Sequence, residues 1–508
     1  MRTRVLHALY GVVATITGMA AAHLLAALLD PNSSPVLAVG NQVIDLTPTP
    51  LKEWAVRHFG TNDKPILIGS VLIGTLILSG IAGLLARRRF ALGAGLLILL
   101  VGLAGAAALN RPTSSFADVL PSVLAGVVGV AVLGGLCRLS RPAASPSSAG
   151  AAVDSAPGTT RRPLLIATGL AGLAAAMGGG GQWLIRLKAR PEDVTIPAAA
   201  DPAPAFPQGL ETRIKGISSL RTPTDSFYRI DTSLITPTVS VDGWTLTIDG
   251  DVENQLEFTF DELAAMPLIE RDITLTCVSN EVGGPYVGGA RWLGVRLTDL
   301  LDQAGVGTKA DQILSTAYDG FTISTPLEVA TDGRDAMVAI AMNGEALPRA
   351  HGFPVRLITP GIYGFVGSTK WLTKLTLTTY ADQQSYWTER DWATDAPIKV
   401  ESRIDTPKGL STIKPGMTAI GGVAWAQQRG IGKIEVRIDG GAWQEAKLGP
   451  EVNLDYWRQW YLPWEAKTGS HQLAVRATTQ DGETQTAARV TVFPDGATGI
   501  QEIVVNVA

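Results

Sequence analysis

The feature that most constrains this chain is an uneven distribution of apolar residues between its two halves. Residues 1 to about 190 are rich in Leu, Ala, Gly and Val, whereas most Trp, Tyr and acidic residues follow residue 210. A helix needs about 20 residues to cross a hydrocarbon core of about 30 Å. Five apolar runs reach that length, at about 5–29, 65–86, 90–109, 119–139 and 164–185. The sequence therefore predicts a five-helix transmembrane region over residues 1–190.

Basic residues beside short loops predict the orientation of these helices. Three clusters would share the cytoplasmic side if the N-terminus is cytoplasmic: Arg2 and Arg4; Arg87, Arg88 and Arg89; and Arg138, Arg141, Arg161 and Arg162. Five crossings then place the soluble half on the extracytoplasmic side. Arg186, Lys188 and Arg190 oppose this orientation, because they would follow the last span on the outer side.

The fifth apolar run has a second interpretation. Arg161-Arg162 followed by an Ala/Gly-rich apolar stretch has the form of an internal twin-arginine export signal. The same two arginines also fit the ordinary positive-inside bias. Both interpretations stay open.

The membrane half is predicted to be an anchor. A b-type haem needs two facing imidazoles, and His7 and His23 lie on one helix about 24 Å apart at 1.5 Å per residue. They cannot share a haem. Residues 142–160 are predicted to be a loop and residues 191–214 a Pro-rich linker. No Lys/Arg tract favours nucleic acid, and the net charge of −4 argues against it.

The soluble half shows short alternating runs separated by Asp-Gly and Asn-Gly turns. Residues 215–390 are predicted to form a mixed α+β domain, and residues 395–508 an all-β immunoglobulin-like sandwich. Predicted strands are 244–249, 272–277, 336–341 and 354–359; predicted helices are 260–266 and 297–304; predicted hairpins are 433–448 and 471–493.

Cys277 is the only cysteine of the soluble half. Cys137, the other cysteine, lies in an apolar run, so a disulfide between them is rejected. The predicted strand 272–277 ends on Cys277, at a strand-to-loop junction where functional residues concentrate. Gly283-Gly284 and Gly288-Gly289 follow, and we expect the backbone there to approach a bulky ligand closely.

Six motifs occur in an order that resembles the sulfite oxidase family of molybdopterin-dependent oxidoreductases. They are Phe227-Tyr-Arg-Ile-Asp231, Thr276-Cys-Val-Ser-Asn280, Gly289-Ala-Arg-Trp292, Met342-Asn-Gly-Glu-Ala-Leu-Pro348, His351-Gly-Phe-Pro-Val-Arg356 and Ser368-Thr-Lys-Trp371. The likeness covers about residues 215–505. It implies one molybdenum–molybdopterin cofactor per chain and a C-terminal dimerisation module, hence a possible homodimer.

The resemblance also implies roles for particular residues. Cys277 would be the thiolate ligand of molybdenum, because a soft donor suits a high-valent metal. Arg229 and Arg458 would line an anionic substrate site. The cofactor-binding residues that it implies are Tyr228, Asn280, His351, Arg356, Ser368 and Lys370.

Two departures from the family bear on the substrate. The resemblance puts Ile340 where sulfite oxidases have an active-site tyrosine, and Glu281-Val282 where they have a basic pair. Loss of positive charge and gain of a carboxylate would weaken sulfite binding.

We therefore expect a membrane-anchored, extracytoplasmic molybdenum oxidoreductase that transfers an oxygen atom to or from a small-molecule substrate. Electrons would pass to a redox partner such as a cytochrome or a quinone-linked subunit, because the sequence offers no haem or iron–sulfur ligand set. One alternative is a reductase of sulfoxide-like or other oxidised small molecules on the same cofactor. Another is a non-catalytic binding scaffold.

Overall fold

The structure is a computed structural model that describes residues 2–59, 62–140, 161–188 and 194–508. The predicted loop 142–160 and the first residues of the predicted linker lie outside the described residues. The chain divides into two compact units. One comprises Met1–Arg190 and Thr232–Thr238, and the other comprises Pro191–Asp231 and Val239–Ala508.

The first unit is helical. Its described helices are α1 (Arg2–Leu28), α2 (Pro35–Leu46), α3 (Thr49–Phe59), α4 (Asp63–Arg88), α5 (Phe90–Leu109), α6 (Leu120–Leu139) and α7 (Arg161–Lys188). Four segments within the described residues are long and apolar enough to cross a membrane: Thr3–Leu28, Asp63–Arg88, Phe90–Leu109 and Phe116–Leu139. They coincide with the first four predicted spans. The fifth predicted span lies on α7, which is not one of these four segments.

Glycines let the apolar helices of this unit pack closely. A Cβ atom added at Gly11 of α1 would lie 1.9 Å from the carbonyl oxygen of Ser79 in α4. One added at Gly18 would lie 2.5 Å from the carbonyl oxygen of Ala125 in α6. Small residues at such positions are typical of helices that associate in a membrane, because they allow the backbones to approach.

The second unit begins with a mixed α/β region. Its strands are β1 (Thr245–Gly250), β2 (Leu256–Thr259), β3 (Leu268–Thr276), β4 (Val287–Arg296), β5 (Gln312–Ala317), β6 (Thr322–Pro326), β7 (Met337–Met342), β8 (Glu345–Ala346), β9 (Arg356–Ile358) and β10 (Leu372–Thr378). One sheet has the order β2-β1-β10-β5-β6 and another β3-β4-β7-β8, with β9 paired to β7.

Short helices connect these strands: α8 (Phe260–Ala265), α9 (Leu297–Ala304), α10 (Leu327–Thr331) and α11 (Gly364–Gly367). The first two confirm the predicted helices. A capping box between Thr259 and Glu262 starts α8. The left-handed residue Gly305, with φ of 68°, ends α9.

The C-terminal part of the second unit is β-rich. Its strands are β11 (Glu401–Thr406), β12 (Thr412–Ile413), β13 (Gly416–Trp425), β14 (Ile431–Ile438), β15 (Gln444–Glu445), β16 (Lys447–Leu448), β17 (Arg458–Ala466), β18 (Gly469–Thr479) and β19 (Gln501–Val507). They form a four-stranded sheet, β11-β13-β17-β16, and a five-stranded sheet, β12-β19-β18-β14-β15. Both sheets contribute to one core, which includes Ile420, Trp460 and Val475.

The predicted hairpin over residues 471–493 is wrong in its second strand. β18 pairs with β14 on one side and with β19 on the other, so the partner strand is Gln501–Val507. Pairing of the predicted kind is limited to an isolated bridge between Thr478 and Thr484. The buried Gln485 follows; its side chain accepts a hydrogen bond from the Ala477 N–H and donates one to the Gly499 carbonyl.

Candidate functional site

Cys277 follows the last residue of β3 and opens a short, closed loop. Its N–H donates to the Tyr286 carbonyl at 3.0 Å, and its own carbonyl accepts from the Asn280 N–H at 3.0 Å. The Asn280 side-chain oxygen accepts from the Tyr286 N–H at 2.8 Å. These three hydrogen bonds close the loop at its base, so the backbone at Cys277 has a defined position.

The surroundings of Cys277 act on its thiol in opposite directions. Desolvation raises the pKa of the Cys277 thiol, whereas hydrogen bonds from Ser279 and the charge of Lys370 lower it. A thiolate is the form that binds metals. Within the described residues, no group of three or more His, Cys, Asp or Glu side chains could hold a metal ion. A metal at Cys277 would therefore take its other ligands from a cofactor or from solvent.

Arg356, the first residue of β9, is a buried cation without an acidic partner. Its side chain donates to the His351 carbonyl at 3.1 Å and to the Ser368 hydroxyl at 2.5 Å, and its guanidinium lies 5.0 Å from the Trp292 ring centroid. The residue is 6% exposed, and its Nε has no hydrogen-bond partner. No ion pair joins it to a carboxylate of the described residues. Burial lowers the pKa of Arg356 to about 10, so it is still charged at neutral pH.

Lys370 and Arg229 share one carboxylate. Lys370 Nζ lies 2.9 Å and Arg229 Nε 2.7 Å from Oδ2 of Asp231, which is almost wholly buried. Burial lowers the pKa of Lys370 to about 8, while Asp231 opposes that shift. Three cations, with Arg356, thus face one ion-paired carboxylate. The remaining positive charge is what an anionic group would neutralise.

His351 lies beside these cations in its neutral form. Burial and the charges of Arg356, Lys370 and Arg229 lower the pKa of His351 to about 4. Its Nε2 lies 3.1 Å from the Thr224 carbonyl oxygen, which can only accept, so Nε2 carries the proton. His351 is therefore a neutral polar group at pH 7.

Tyr228 lies in the electrostatic field of both Cys277 and Arg356. Its ring stacks on Phe227 with centroids 5.2 Å apart. Burial raises its pKa, and so does the charge of Cys277, whereas Arg356 lowers it. The thiol and the cations therefore belong to one site.

The geometry brings together most of the residues predicted from sequence: Cys277, Tyr228, Arg229, His351, Arg356, Ser368 and Lys370. Asn280 has a different environment. It holds the loop after Cys277 and donates to the buried Glu401 at 3.4 Å. Its contacts are thus with the protein loop and with the C-terminal β region.

Arg458 is not part of this group. Its guanidinium bonds to the carbonyls of Gly449 and Ile431 and pairs with Glu451 at 3.0 Å, all within the C-terminal β region. Neighbouring side chains of a strand alternate between its faces. The adjacent Trp457 is the one that reaches the segment before β1, where it donates to the Leu220 carbonyl at 2.7 Å.

The surroundings of Ile340 are now defined, and the expectation for the glycines that follow Cys277 is corrected. Ile340 has no exposed surface and belongs to the core of the α/β region, with Val338 and Leu357, so it is a packing residue. Gly288 and Gly289 make room for protein side chains and not for a ligand. A Cβ at Gly288 would lie 2.9 Å from the Phe227 ring, and one at Gly289 would lie 2.5 Å from the Tyr456 ring.

Sequence reasoning missed two acidic residues of the site. Asp231 ends the motif that supplied Tyr228 and Arg229, and its spacing from Arg229 was the available signal. Asp319 precedes β6, and nothing in its local sequence marks it. Burial and the charge of Asp231 raise the pKa of the Asp319 carboxyl, while Lys370 lowers it.

Comparisons with known proteins place a match over the region that contains this site. Residues 233–387 match the oxidoreductase molybdopterin binding domain. Mitochondrial sulfite oxidase of Homo sapiens is 32% identical over 305 residues, covering 50% of this chain and 55% of that protein. Sulfite oxidase of Arabidopsis thaliana is 26% identical over 288 residues, covering 47% of this chain and 73% of the relative. The chain thus spans about half the length of its human relative.

A solved structure supports the fold. The sulfane dehydrogenase SoxCD from Paracoccus pantotrophus superposes with a TM-score of 0.50 at 23% identity, covering 58% of this chain and 85% of that chain. This likeness concerns the fold, and the match to an oxidoreductase molybdopterin binding domain concerns residues 233–387. Over about half of its length the chain is similar to sulfite oxidases.

Proposed function

We propose that this protein is a membrane-anchored molybdenum oxidoreductase that transfers an oxygen atom at a site ligated by Cys277. The observation that carries the proposal is the buried guanidinium of Arg356, which has no acidic partner among the described residues and shares a site with the thiol. Burying a cation without a partner is costly, and a site that maintains it is suited to bind an anion. The molybdopterin phosphate is the anion that the family supplies.

The residues present fit that cofactor. Arg356 offers a buried Nε without a partner, and an arginine can hold a phosphate through two parallel bonds. Ser368 fixes the guanidinium, and neutral His351 offers an imidazole whose charge does not add to that of its neighbours. When bound, the molybdenum–pterin cofactor supplies two-electron oxygen-atom transfer, and Cys277 supplies the protein ligand to the metal.

Electrons would leave or enter one at a time through a partner such as a cytochrome or a quinone-linked subunit. A haem or an iron–sulfur cluster needs several His or Cys ligands together. The described residues contain two cysteines, Cys137 and Cys277, and they do not pair.

We propose that the helical unit anchors this enzyme in the cell membrane with five spans, α7 being the fifth, and that the catalytic region is extracytoplasmic. The four apolar segments support the anchor. The sidedness rests on the basic clusters, and Arg161-Arg162 also fit a twin-arginine signal. The paired sheets of the C-terminal region support an immunoglobulin-like sandwich, and we propose it as the homodimer module.

Arg229 is the candidate for substrate binding. Its side chain is 37% exposed, more than that of Asp231 or Lys370, so it can meet an anion that arrives from solvent. Arg458 would join it only through a rearrangement of its bonds to Glu451 and to backbone carbonyls. Oxidation of a small sulfur anion is the reaction class that its relatives suggest.

Two alternatives remain as proposals. A reductase of oxidised small molecules would use the same cofactor. Its case rests on Ile340 and Glu281-Val282, which stand where the family has an active-site tyrosine and a basic pair. A non-catalytic scaffold would not explain the positive charge beside Cys277.

Electron paramagnetic resonance of the detergent-purified chain tests the proposal. The wild type should give a molybdenum(V) signal upon partial reduction, and Cys277→Ser should lose or shift it while the pterin remains bound. Ser279→Ala is the matched control, because it alters a hydrogen bond to the thiol and leaves the ligand. An identical signal in wild type and Cys277→Ser would contradict ligation by Cys277.

A further inference from the structure

A buried acid in the C-terminal region contacts the loop of the proposed metal ligand. Glu401 opens β11 and is 2% exposed. Its Oε2 accepts a long bond of 3.4 Å from the Asn280 side chain, and its Oε1 is buried without a hydrogen-bond partner. A carboxylate in such a place is poorly solvated, whereas a carboxylic acid is tolerated.

Nearby charges do not neutralise Glu401 directly. Lys399 pairs with Asp495 at 2.9 Å and donates to the Gly496 carbonyl at 2.7 Å. Arg403 pairs with Asp405 at 2.7 Å and donates to the Gly284 carbonyl at 2.8 Å. These cations act on Glu401 only at a distance, and burial raises the pKa of Glu401 to about 8 in spite of them.

Two residues connect Glu401 with Cys277. Asn280 donates its N–H to the Cys277 carbonyl and its side-chain amide to Glu401. Tyr363, which is 1% exposed, lies in the electrostatic field of both Glu401 and Cys277, and also of Asp495. Asn280 and Tyr363 thus lie between Glu401 and Cys277, in a buried interior where charges are poorly screened.

We propose that Glu401 is a proton-holding residue coupled to the redox state of the Cys277 site. With the cofactor bound, loss of one electron to a redox partner would be matched by release of one proton from Glu401 to solvent, so the net charge of the interior would stay the same. When the site takes an electron back, Glu401 takes up a proton. One electron and one proton leave together, and no bond to Cys277 is made or broken. The inference rests on the proposed function.

The test is a redox titration of the molybdenum signal between pH 6 and pH 9 in the full-length, detergent-purified holoenzyme. A tenfold change in proton concentration corresponds to about 59 mV for a one-electron couple. We expect the midpoint potential of the wild type to fall with pH towards that slope. Lys370 titrates in the same range, with a pKa of about 8, so the decisive comparison is between variants.

Glu401→Gln keeps the size and polarity of the side chain and removes the titration. We expect a clearly smaller pH slope in this variant. Glu435→Gln is the matched control, because Glu435 lies in the same β region but is ion-paired, with Arg476 and Lys433; it should keep the wild-type slope. Equal slopes in wild type and Glu401→Gln would overturn the proposal.

Infrared spectroscopy supplies a readout that does not need turnover. A carboxylic acid band at pH 7 should be present in wild type and in Glu435→Gln, and one such band should be lost in Glu401→Gln. No loss of a band would also overturn the proposal. Metal content separates this outcome from failure of the proposed function: a wild type that binds no molybdenum contradicts that function, and the redox coupling with it.

Discussion

Arginines in two parts of the α/β region differ in whether a carboxylate balances their charge. On β3 and β4, Arg271 and Arg291 are paired with carboxylates: Arg291 lies 2.6 Å from Asp272, and Arg271 lies 2.5 Å from both Asp201 and Asp335. Near Cys277, buried Arg356 has neutral partners only. The first group is complete within the protein. The second, in which Arg229 and Lys370 share Asp231, retains an excess of positive charge that suits the proposed anion.

The largest expected effect is on cofactor retention by Arg356→Met. This change removes the cation while it keeps most of the apolar volume. Bonds to charged groups contribute about 1.5–3 kcal/mol each, so we expect the bound pterin to fall by about tenfold to a hundredfold. Fluorescence of the oxidised pterin, measured per purified chain, checks this. An unchanged pterin content would remove the contrast between the two arginine groups.

Arg291→Met tests an arginine whose charge is balanced within the protein. It leaves Asp272 buried without its partner, and breaking a buried pair in this way costs about 3 kcal/mol. We expect lower stability towards denaturant, with pterin content per folded chain as in wild type. If Arg291→Met lost pterin as fully as Arg356→Met, the two groups would not differ in role.

Glu401, in contrast to both groups of arginines, is a buried acid without a paired cation. Its burial predicts that the free energy of unfolding depends on pH. Its pKa is raised from 4.5 to about 8, so between these values the folded protein holds a proton that the unfolded chain has lost. Stability must then decrease as pH rises through this window. From pH 6 to pH 8, wild type should lose about 2–3 kcal/mol relative to Glu401→Gln. Denaturant titrations at both pH values measure this difference, and parallel behaviour would contradict the prediction.

The smallest effect is expected for Arg458→Met. Its pair with the partly exposed Glu451 contributes about 0.5–1 kcal/mol, and it has no contact with the Cys277 site. Pterin content and the molybdenum signal should stay as in wild type. A raised KM with an unchanged signal would instead restore the substrate role that the sequence suggested for Arg458.

Local sequence predicted the elements whose signals are local. Leu297, Leu300, Leu301 and Ala304 repeat at helical spacing before Gly305, and α9 has the predicted bounds. The end of β3 at Thr276 and the cations of the ordered motifs were also predictable. These features depend on residues close in the chain or on motifs that the family retains.

Long-range geometry decided the rest. The alternation of a strand does not reveal which face meets the site, so Arg458 was assigned to the wrong surroundings. Nothing local shows that Asp231 joins Lys370, which is distant in sequence. The pairing of β18 with β19 likewise joins segments that are not adjacent in sequence.

The most direct test of the central claim is the molybdenum content per chain. The full-length wild type would be purified in detergent from a host that makes the cofactor, and analysed by elemental mass spectrometry, with a second molybdenum enzyme from the same host as control. We predict about one molybdenum per chain. Metal-free protein beside a loaded control enzyme would contradict the molybdopterin site and favour a binding scaffold.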